Sequence, residues 1–252
     1  MAENFRQSEI MDIARRKGRV SVEKLARRFQ TSAQTIRKDL SDLSDSGHLK
    51  RVHGGAIFPE NASMIGYDDR RQLNDTAKIR IAKACAQDIP EGACVFLNIG
   101  TTTEAVAREL LTHSDLTVVT NNLNVANILS ASPQIEVLVA GGTLRRSDGG
   151  LVGSMTTKLI AQFKFDYAVI GCSALDDDGD ILDYDIQEVD VSQTIIARSR
   201  NTYLVADASK FDRAAPVKIA SLESIDRFYT DASLPAQLAQ TCADWGTELC
   251  IP

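Results

Sequence analysis

The stretch L-N-I-G-T-T-T-E-A-V-A, residues 97–107, has the pattern of a β-strand that ends and turns directly into an α-helix. The corner between them carries Gly100 followed by three threonines. A glycine allows an oxyanion to approach the backbone closely, and the free amides and dipole of a helix N-terminus favour negative charge. Because threonine hydroxyls add hydrogen-bond donors, the corner is a candidate phosphate site. The alternative interpretation is an ordinary helix N-terminus that binds nothing.

Segments with strand and helix patterns alternate on both sides of this corner. Strands are predicted over 94–98, 116–120, 135–140, 167–171 and 202–206, and helices over 102–112, 122–131, 153–163, 187–199 and 234–243. Such alternation is typical of an α/β domain with a doubly wound parallel sheet and right-handed crossovers. Ligands bind such sheets outside the carboxyl ends of the strands, which is where residues 100–103 fall. Trp245 follows the last predicted helix and is assigned to packing.

The N-terminal part of the chain differs from the rest in charge. Residues 1–58 carry 12 Lys and Arg against 7 Asp and Glu, whereas the whole chain has a net charge of -6. A basic segment attached to an acidic body suggests that the basic segment alone binds a polyanion.

Residues 1–58 have the pattern of a winged helix-turn-helix, an all-α unit closed by a short basic hairpin. Helices are predicted over 8–16, after the N-cap Ser21, and after Thr31 or Ser32, with Ile36 and Leu40 on the buried face of the third helix. The opposite face of that helix and the hairpin, or wing, at Gly54 supply the candidate DNA contacts. These are Ser32, Gln34, Thr35, Arg37, Lys38 and Ser41 on the helix, and Arg51 and His53 on the wing. The alternative is a small helical interaction module with a solvated polar face.

Longer motifs in both parts of the chain resemble one protein family. The run V-S-V-E-K-L-A-R-R-F-Q-T-S-A-Q-T-I-R-K-D-L, followed later by R-V-H-G-G-A, is similar to the winged helix of DeoR-family bacterial transcription regulators. The motifs N-I-G-T-T, T-N-N, A-G-G and D-A-S-K extend the resemblance over nearly the whole chain. The resemblance implies a repressor with a DNA-binding domain at 1–58, a linker at 59–74 and a sensor domain at 75–252 that is related to ribose-phosphate isomerases.

The resemblance also implies that a phosphorylated metabolite releases the repressor from double-stranded operator DNA. The stretches N-N-L-N-V-A-N, L-R-R-S-D-G-G-L-V-G and L-D-Y-D-I-Q-E-V are similar to family members that control glycerol 3-phosphate metabolism, so glycerol 3-phosphate is the effector implied. The candidate effector-binding residues are Asn98, Gly100, Thr101, Thr102, Thr103, Asn121, Asn122, Gly141, Gly142, Glu188 and Lys210. Asn98 replaces an acid that is usual in the family, which keeps hydrogen bonding and removes the charge. Lys210 is expected to pair with a phosphate or with Glu188, and Arg145 is a weaker phosphate candidate.

A sugar-phosphate isomerase with an appended helical domain is the competing hypothesis. Glu188 would serve as its carboxylate base, but an enzyme does not explain a basic winged head. We therefore expect a repressor rather than an enzyme. Because one winged helix reads few base pairs, we also expect a homodimer or tetramer.

Several other classes of site and location are not favoured by the sequence. The acidic run at 174–185 departs from the calcium-loop pattern at its first and last ligand positions, so a polar hairpin turn is predicted there and no metal or cofactor is expected. Five cysteines without a C-x-x-C pair indicate reduced thiols in a cytoplasmic protein. No apolar run approaches the ~18 residues of a membrane span.

Overall fold

The structure is a computed structural model, and it describes residues 5–17, 19–46, 48–52, 54–57, 67, 71 and 73–252. The predicted linker at 59–74 lies largely outside these residues. Within the described part of the chain, no helix is long and apolar enough to cross a membrane.

The N-terminal part folds around the helices predicted from its periodicity. Its elements are α1 (Phe5–Lys17), β1 (Arg19–Ser21), α2 (Val22–Arg28), α3 (Ala33–Asp45), β2 (Lys50–Val52) and β3 (Gly55–Ile57). Ile36 and Leu40 of α3 are fully buried in its core. The predicted caps are confirmed, because Ser21 and Ser32 accept hydrogen bonds from the amides of Lys24 and Thr35 at the starts of α2 and α3.

One element of this part was not predicted. β1 pairs with β3 in an antiparallel three-stranded sheet of order β1-β3-β2, so the wing is a small sheet rather than a hairpin alone. Val20 of β1 is buried in the core shared with α1 to α3. A strand of three residues carries too little alternation to be recognised in sequence.

The remaining residues form an α/β fold. Its elements are α4 (Asp75–Gln87), β4 (Cys94–Leu97), α5 (Thr101–Glu109), β5 (Leu116–Thr120), α6 (Leu123–Leu129), β6 (Ile135–Val139), β7 (Thr143–Arg145), β8 (Gly150–Val152), α7 (Ser154–Ile160), β9 (Phe165–Ile170), β10 (Ala174–Leu175), β11 (Asp180–Asp183), α8 (Ile186–Ala197), β12 (Ser199–Val205), β13 (Val217–Ser221), β14 (Arg227–Tyr229), α9 (Ala236–Trp245) and β15 (Glu248–Cys250).

The predicted doubly wound parallel sheet is confirmed. The sheet has the strand order β15-β14-β12-β9-β4-β5-β6, and every neighbouring pair in it is parallel. Alternate residues of β4 enter different cores: Val95 and Leu97 pack on one side, and Phe96 packs on the other. This period of two is expected for a strand buried on both faces, and it places helices on both sides of the sheet.

The sequence prediction missed or misplaced the outer parts of this sheet. It omitted α4 and the strands β14 and β15, and it placed Trp245 beyond the last helix, whereas Trp245 is the final residue of α9. The polar hairpin predicted in the acidic run is confirmed between β10 and β11. There Asp176 Oδ1 accepts the amides of Asp178 and Asp180, which explains the carboxylate-rich turn without a metal.

Candidate effector and DNA-binding sites

A polar cleft opens at the carboxyl ends of β4, β9 and β12, as expected for a sheet of this type. It is lined by Leu73, Lys78, Ile99, Gly100, Thr101, Thr102, Thr103, Asp148, Gly171, Cys172, Ser173, Asp183, Glu188, Val205, Asp207, Lys210 and Arg213. The structure therefore brings together six of the predicted effector contacts, which are Gly100, Thr101, Thr102, Thr103, Glu188 and Lys210.

The corner at Gly100 exposes backbone amides to this cleft. Gly100 has φ +152°, a conformation that side chains with a Cβ rarely adopt, and no side chain caps the start of α5. The Thr103 hydroxyl lies 2.7 Å from the carbonyl oxygens of Asn98 and Gly100 and so fastens the loop to the helix. Gly100 therefore provides no side-chain cap for the first amides of α5, and a helix start of this kind can bind an oxyanion.

Cations gather on one side of the cleft. Lys78, Lys210 and Arg213 surround Asp207, whose Oδ1 also accepts a hydrogen bond of 2.9 Å from Asn74 Nδ2. Burial lowers the pKa of Lys78 to about 8, and the charges of Lys210 and Arg213 act in the same direction. Burial opposes the ionisation of Asp207, but Lys210 and the hydrogen bond from Ser209 outweigh it and hold the pKa of Asp207 below its usual value.

Sequence reasoning missed Lys78. Its side chain is 5% exposed, and it lies on the same face of α4 as the buried Ile81, Ala82 and Cys85. A lone lysine within the apolar stripe of an amphipathic helix is the signal that could have revealed it, because a buried ammonium needs a compensating anion.

Carboxylates gather on the other side of the cleft, around Arg145. The Arg145 guanidinium donates to Asp148 at 2.8 and 2.9 Å and to Asp185 at 2.8 Å, and it pairs with Glu188 at 2.5 Å. Burial and the nearby charge of Asp183 together raise the pKa of Glu188 to about 7, against the opposing effect of Arg145. Glu188 thus pairs with Arg145, and Arg145, the weaker phosphate candidate, is already matched by carboxylates.

The other predicted effector residues do not line the cleft. Asn98 is buried, donates to Ser192 Oγ at 2.9 Å and accepts the amide of Ile99 at 2.7 Å. Gly141 accepts the Thr156 hydroxyl through its carbonyl oxygen, and a Cβ at Gly142 would lie 2.1 Å from Thr156 Oγ1. These three residues therefore make structural contacts outside the cleft lining.

The two asparagines after β5 are occupied by structural contacts. Asn121 Nδ2 donates to the carbonyl oxygen of Leu151, and Asn122 Oδ1 caps α6 by accepting the amide of Asn124. Asn122 Nδ2 also lies 3.4 Å from Glu104, a buried carboxylate of α5 that receives the Tyr67 hydroxyl at 2.6 Å. These contacts lock α5 against its neighbours and so support the corner without touching the cleft.

The predicted DNA-binding face lies on the outside of α3. Ser32, Gln34, Arg37, Lys38 and Ser41 are exposed, and Thr35 is half-buried. Ser32 and Thr35 also hydrogen-bond each other through their hydroxyls at 2.8 Å. On the wing, Arg51 belongs to β2 and its side chain lies outside the described residues, as does His53.

A buried ion pair fixes the orientation of α3. Asp39, 4% exposed, accepts two hydrogen bonds from the Arg6 guanidinium of α1, at 2.5 and 3.1 Å. Since Asp39 faces inward, Arg37 and Lys38 are turned outward and are exposed.

Comparison with known proteins identifies the family. The DeoR-like helix-turn-helix domain matches residues 6–62, and the DeoR C terminal sensor domain matches residues 73–232. The chain is 41% identical over 249 residues to the glycerol-3-phosphate regulon repressor of Escherichia coli strain K12, covering 99% of each chain. It is 43% identical over 230 residues to the protein of that name from Haemophilus influenzae, covering 91% of this chain and 90% of the relative.

Solved structures resemble the body of the chain more remotely. Ribose 5-phosphate isomerase from Plasmodium falciparum aligns with a TM-score of 0.40 at 12% identity, covering 54% of this chain and 53% of that one. A D-ribose-5-phosphate isomerase in complex with phospho-erythronic acid aligns with a TM-score of 0.41 at 16% identity, covering 54% of both. The two family matches, which together span most of the chain, show that it belongs to the DeoR family of helix-turn-helix transcriptional regulators.

Proposed function

We propose that this protein is a transcriptional repressor that binds operator DNA and leaves it when a phosphorylated metabolite, glycerol 3-phosphate, enters the cleft. The observation that carries the proposal is the uncapped start of α5 at Gly100, which opens into the same cleft as Lys210. Relatives named as glycerol-3-phosphate regulon repressors at 41% and 43% identity support the choice of effector. We retain 1–58, 59–74 and 75–252 as the DNA-binding domain, linker and sensor domain.

The phosphate is proposed to bind between the corner and the cations. The amides of Thr101, Thr102 and Thr103 point their hydrogens at the anion, and Lys210 supplies charge. Lys78 joins the site because it lines the same cleft and is buried beside Lys210. A phosphate bound there adds a negative charge beside Lys78, in addition to that of Asp207.

The hydroxyl end of the effector is proposed to lie against Glu188 and its neighbours. A carboxylate accepts hydrogen bonds from hydroxyls, and Arg145 holds Glu188 in place with a contact of 2.5 Å. Asn98, Asn121, Asn122, Gly141 and Gly142 then act as supports of the cleft walls rather than as direct effector contacts.

Operator recognition is assigned to the exposed face of α3 and to the wing. Arg37 and Lys38 are the cations on that face, and Gln34 and Ser41 can hydrogen-bond base edges. One such unit reads few base pairs, so the repressor is proposed to act as a homodimer or tetramer on repeated half-sites in the bacterial cytoplasm. Light scattering that shows only monomer, both free and on DNA, would contradict the assembly.

Operator binding with and without effector tests the proposal. Glycerol 3-phosphate should release the operator, and glycerol, which lacks the phosphate, should not. The Thr101→Ala and Lys210→Ala variants should still bind operator and should need about ten- to hundredfold more effector, since a charge-assisted hydrogen bond contributes about 1.5–3 kcal/mol. Equal release by both compounds would overturn the phosphate assignment.

A second candidate function is isomerisation of a sugar phosphate. It is favoured by one observation, the Glu188 pKa of about 7, which suits a general base. Turnover of ribose 5-phosphate at ~1 s⁻¹ or faster would be an ordinary enzymatic rate. We propose that no such turnover occurs, because Glu188 is held by Arg145 as a binding group.

A further inference from the structure

The cleft carries opposite charges on its two sides, with Cys172 between them. Lys78, Lys210 and Arg213 lie on one side, and Asp148, Asp183 and Glu188 lie on the other. The thiol of Cys172 interacts with charges from both sides. Burial raises its pKa to about 12, Lys210 lowers this pKa and Asp183 raises it. A ligand that spans this cleft therefore meets cations at one end and carboxylates at the other.

Among the described residues, the carboxylate side combines four carboxylates with the guanidinium of Arg145. That guanidinium pairs with Asp148, Asp185 and Glu188. Asp183, 5% exposed, adds a fourth carboxylate, which accepts the Ser173 hydroxyl at 2.8 Å and the Tyr184 amide at 2.7 Å. An anionic group placed on this side would meet like charge in a poorly solvated site.

We infer that the carboxylate side selects the chemical class of the effector, and this inference rests on the effector site proposed above. It admits monophosphates whose other end is an uncharged polyol, because hydroxyls donate hydrogen bonds to carboxylates. It excludes phosphorylated acids and bisphosphates, since a carboxylate or second phosphate has no proton to donate near neutral pH and is repelled. Specificity thus comes from a repulsive element as well as from the attractive phosphate site.

Two commercially available three-carbon compounds form a matched test. Glycerol 3-phosphate and 3-phosphoglycerate share the phosphate and the middle hydroxyl, and differ in having a hydroxymethyl or a carboxylate at the far end. Isothermal titration of the full-length protein should give an affinity for glycerol 3-phosphate at least about a hundredfold higher, the scale of a few kcal/mol expected for a like-charge contact at intermediate dielectric. This comparison uses the wild-type protein and depends on no substitution.

The Glu188→Gln variant tests whether the carboxylate of Glu188 causes the difference in affinity between the two compounds. At pH 8, above the Glu188 pKa of about 7, it removes one negative charge at nearly constant volume, so the ratio of the two affinities should narrow by about tenfold or more. Glu91→Gln, an exposed carboxylate outside the cleft, is the matched control and should leave the ratio unchanged. Thermal melts of both variants verify that they are folded, and Asp183→Asn replaces Glu188→Gln if the latter does not fold.

Each outcome bears on a different claim. If wild-type protein binds both compounds equally, the selection by charge is wrong, while the proposed repressor function stands. If it binds neither compound, the proposed effector site fails, and the inference fails with it. If folded Glu188→Gln and Asp183→Asn both keep the wild-type ratio, the carboxylate side is not the discriminating element.

Discussion

Two helices of this protein begin in opposite ways, and the difference separates their proposed roles. At the start of α3, Ser32 Oγ accepts the amide of Thr35 at 3.1 Å, so this helix end is capped by its own side chain. At the start of α5, Gly100 has no side chain, and no side-chain cap closes the helix. A side-chain cap satisfies one of the first amides of a helix, whereas a start without one leaves that amide for another acceptor. We therefore assign base reading to α3 and anion binding to α5.

The substitution with the largest expected effect is Gly100→Val, at the uncapped start of α5. A branched side chain at φ +152° is strained, and it would occupy the space that the anion approaches. We expect effector affinity to fall by about a hundredfold or more, a loss of roughly two charge-assisted hydrogen bonds, while operator binding persists. Effector titration of the operator complex by gel shift measures both properties.

Gly92→Val is the matched control for backbone strain. Gly92 also has a positive φ, +75°, no atom lies within 4 Å of its Cβ position, and it is outside the cleft. Loss of effector response in Gly92→Val of the same size as in Gly100→Val would show that strain, and not a blocked anion site, is responsible.

The second change acts on the exposed face of α3. Arg37→Ala or Lys38→Ala should cost about 1–3 kcal/mol of specific operator affinity if the residue reads a base. If it contacts only phosphate, binding should weaken on all sequences and the salt slope should shrink by about one unit. Lys158→Ala, an exposed lysine on the body, is the control. If both variants kept the wild-type operator affinity at several salt concentrations, the assignment of α3 to the DNA interface would be wrong.

A third prediction concerns pH and the cation side of the cleft. The pKa of Lys78 is lowered to about 8 chiefly by burial, and a bound phosphate favours the charged ammonium. Between pH 7.5 and 9.5 Lys78 of the effector-free protein loses its proton and must regain it on binding, so effector affinity should fall by about tenfold as pH rises. Calorimetry in buffers of different ionisation enthalpy should detect proton uptake. Lys78→Met should abolish this uptake, and a flat affinity in wild-type protein would show that Lys78 does not contact the phosphate.

The smallest expected effect comes from removing the cap of α3. Ser32→Ala leaves the Thr35 amide without its acceptor and should destabilise the N-terminal part by about 1 kcal/mol. Effector binding to the body should be unaffected, because the change lies outside the cleft. Thermal melts and effector titrations of the same sample separate the two quantities. If Ser32→Ala lowered effector affinity as much as it lowered the stability of the N-terminal part, the two helix ends would not be independent.

The sequence predicted those elements that depend on short-range patterns of residues. The strand at 94–98, the helical stripe of α3 and the glycine corner were all visible in the sequence, and the structure agrees with each. The position of Lys78 in the cleft was not visible, because it depends on how α4, an element that was not predicted, packs against the sheet. The contact between Arg145 and Glu188 was not predicted for a related reason: Arg145 reaches Glu188 from the distant hairpin of β7 and β8.

Amide chemical shifts test the central claim, that the uncapped start of α5 binds the effector phosphate, most directly. In a ¹⁵N-labelled sample, glycerol 3-phosphate should shift the amide resonances of Thr101, Thr102 and Thr103, and glycerol at the same concentration should not. The amides of Gln34 and Thr35 at the capped start of α3 should respond to operator DNA instead. Release of the operator by glycerol 3-phosphate without any shift at Thr101, Thr102 or Thr103 would contradict the account.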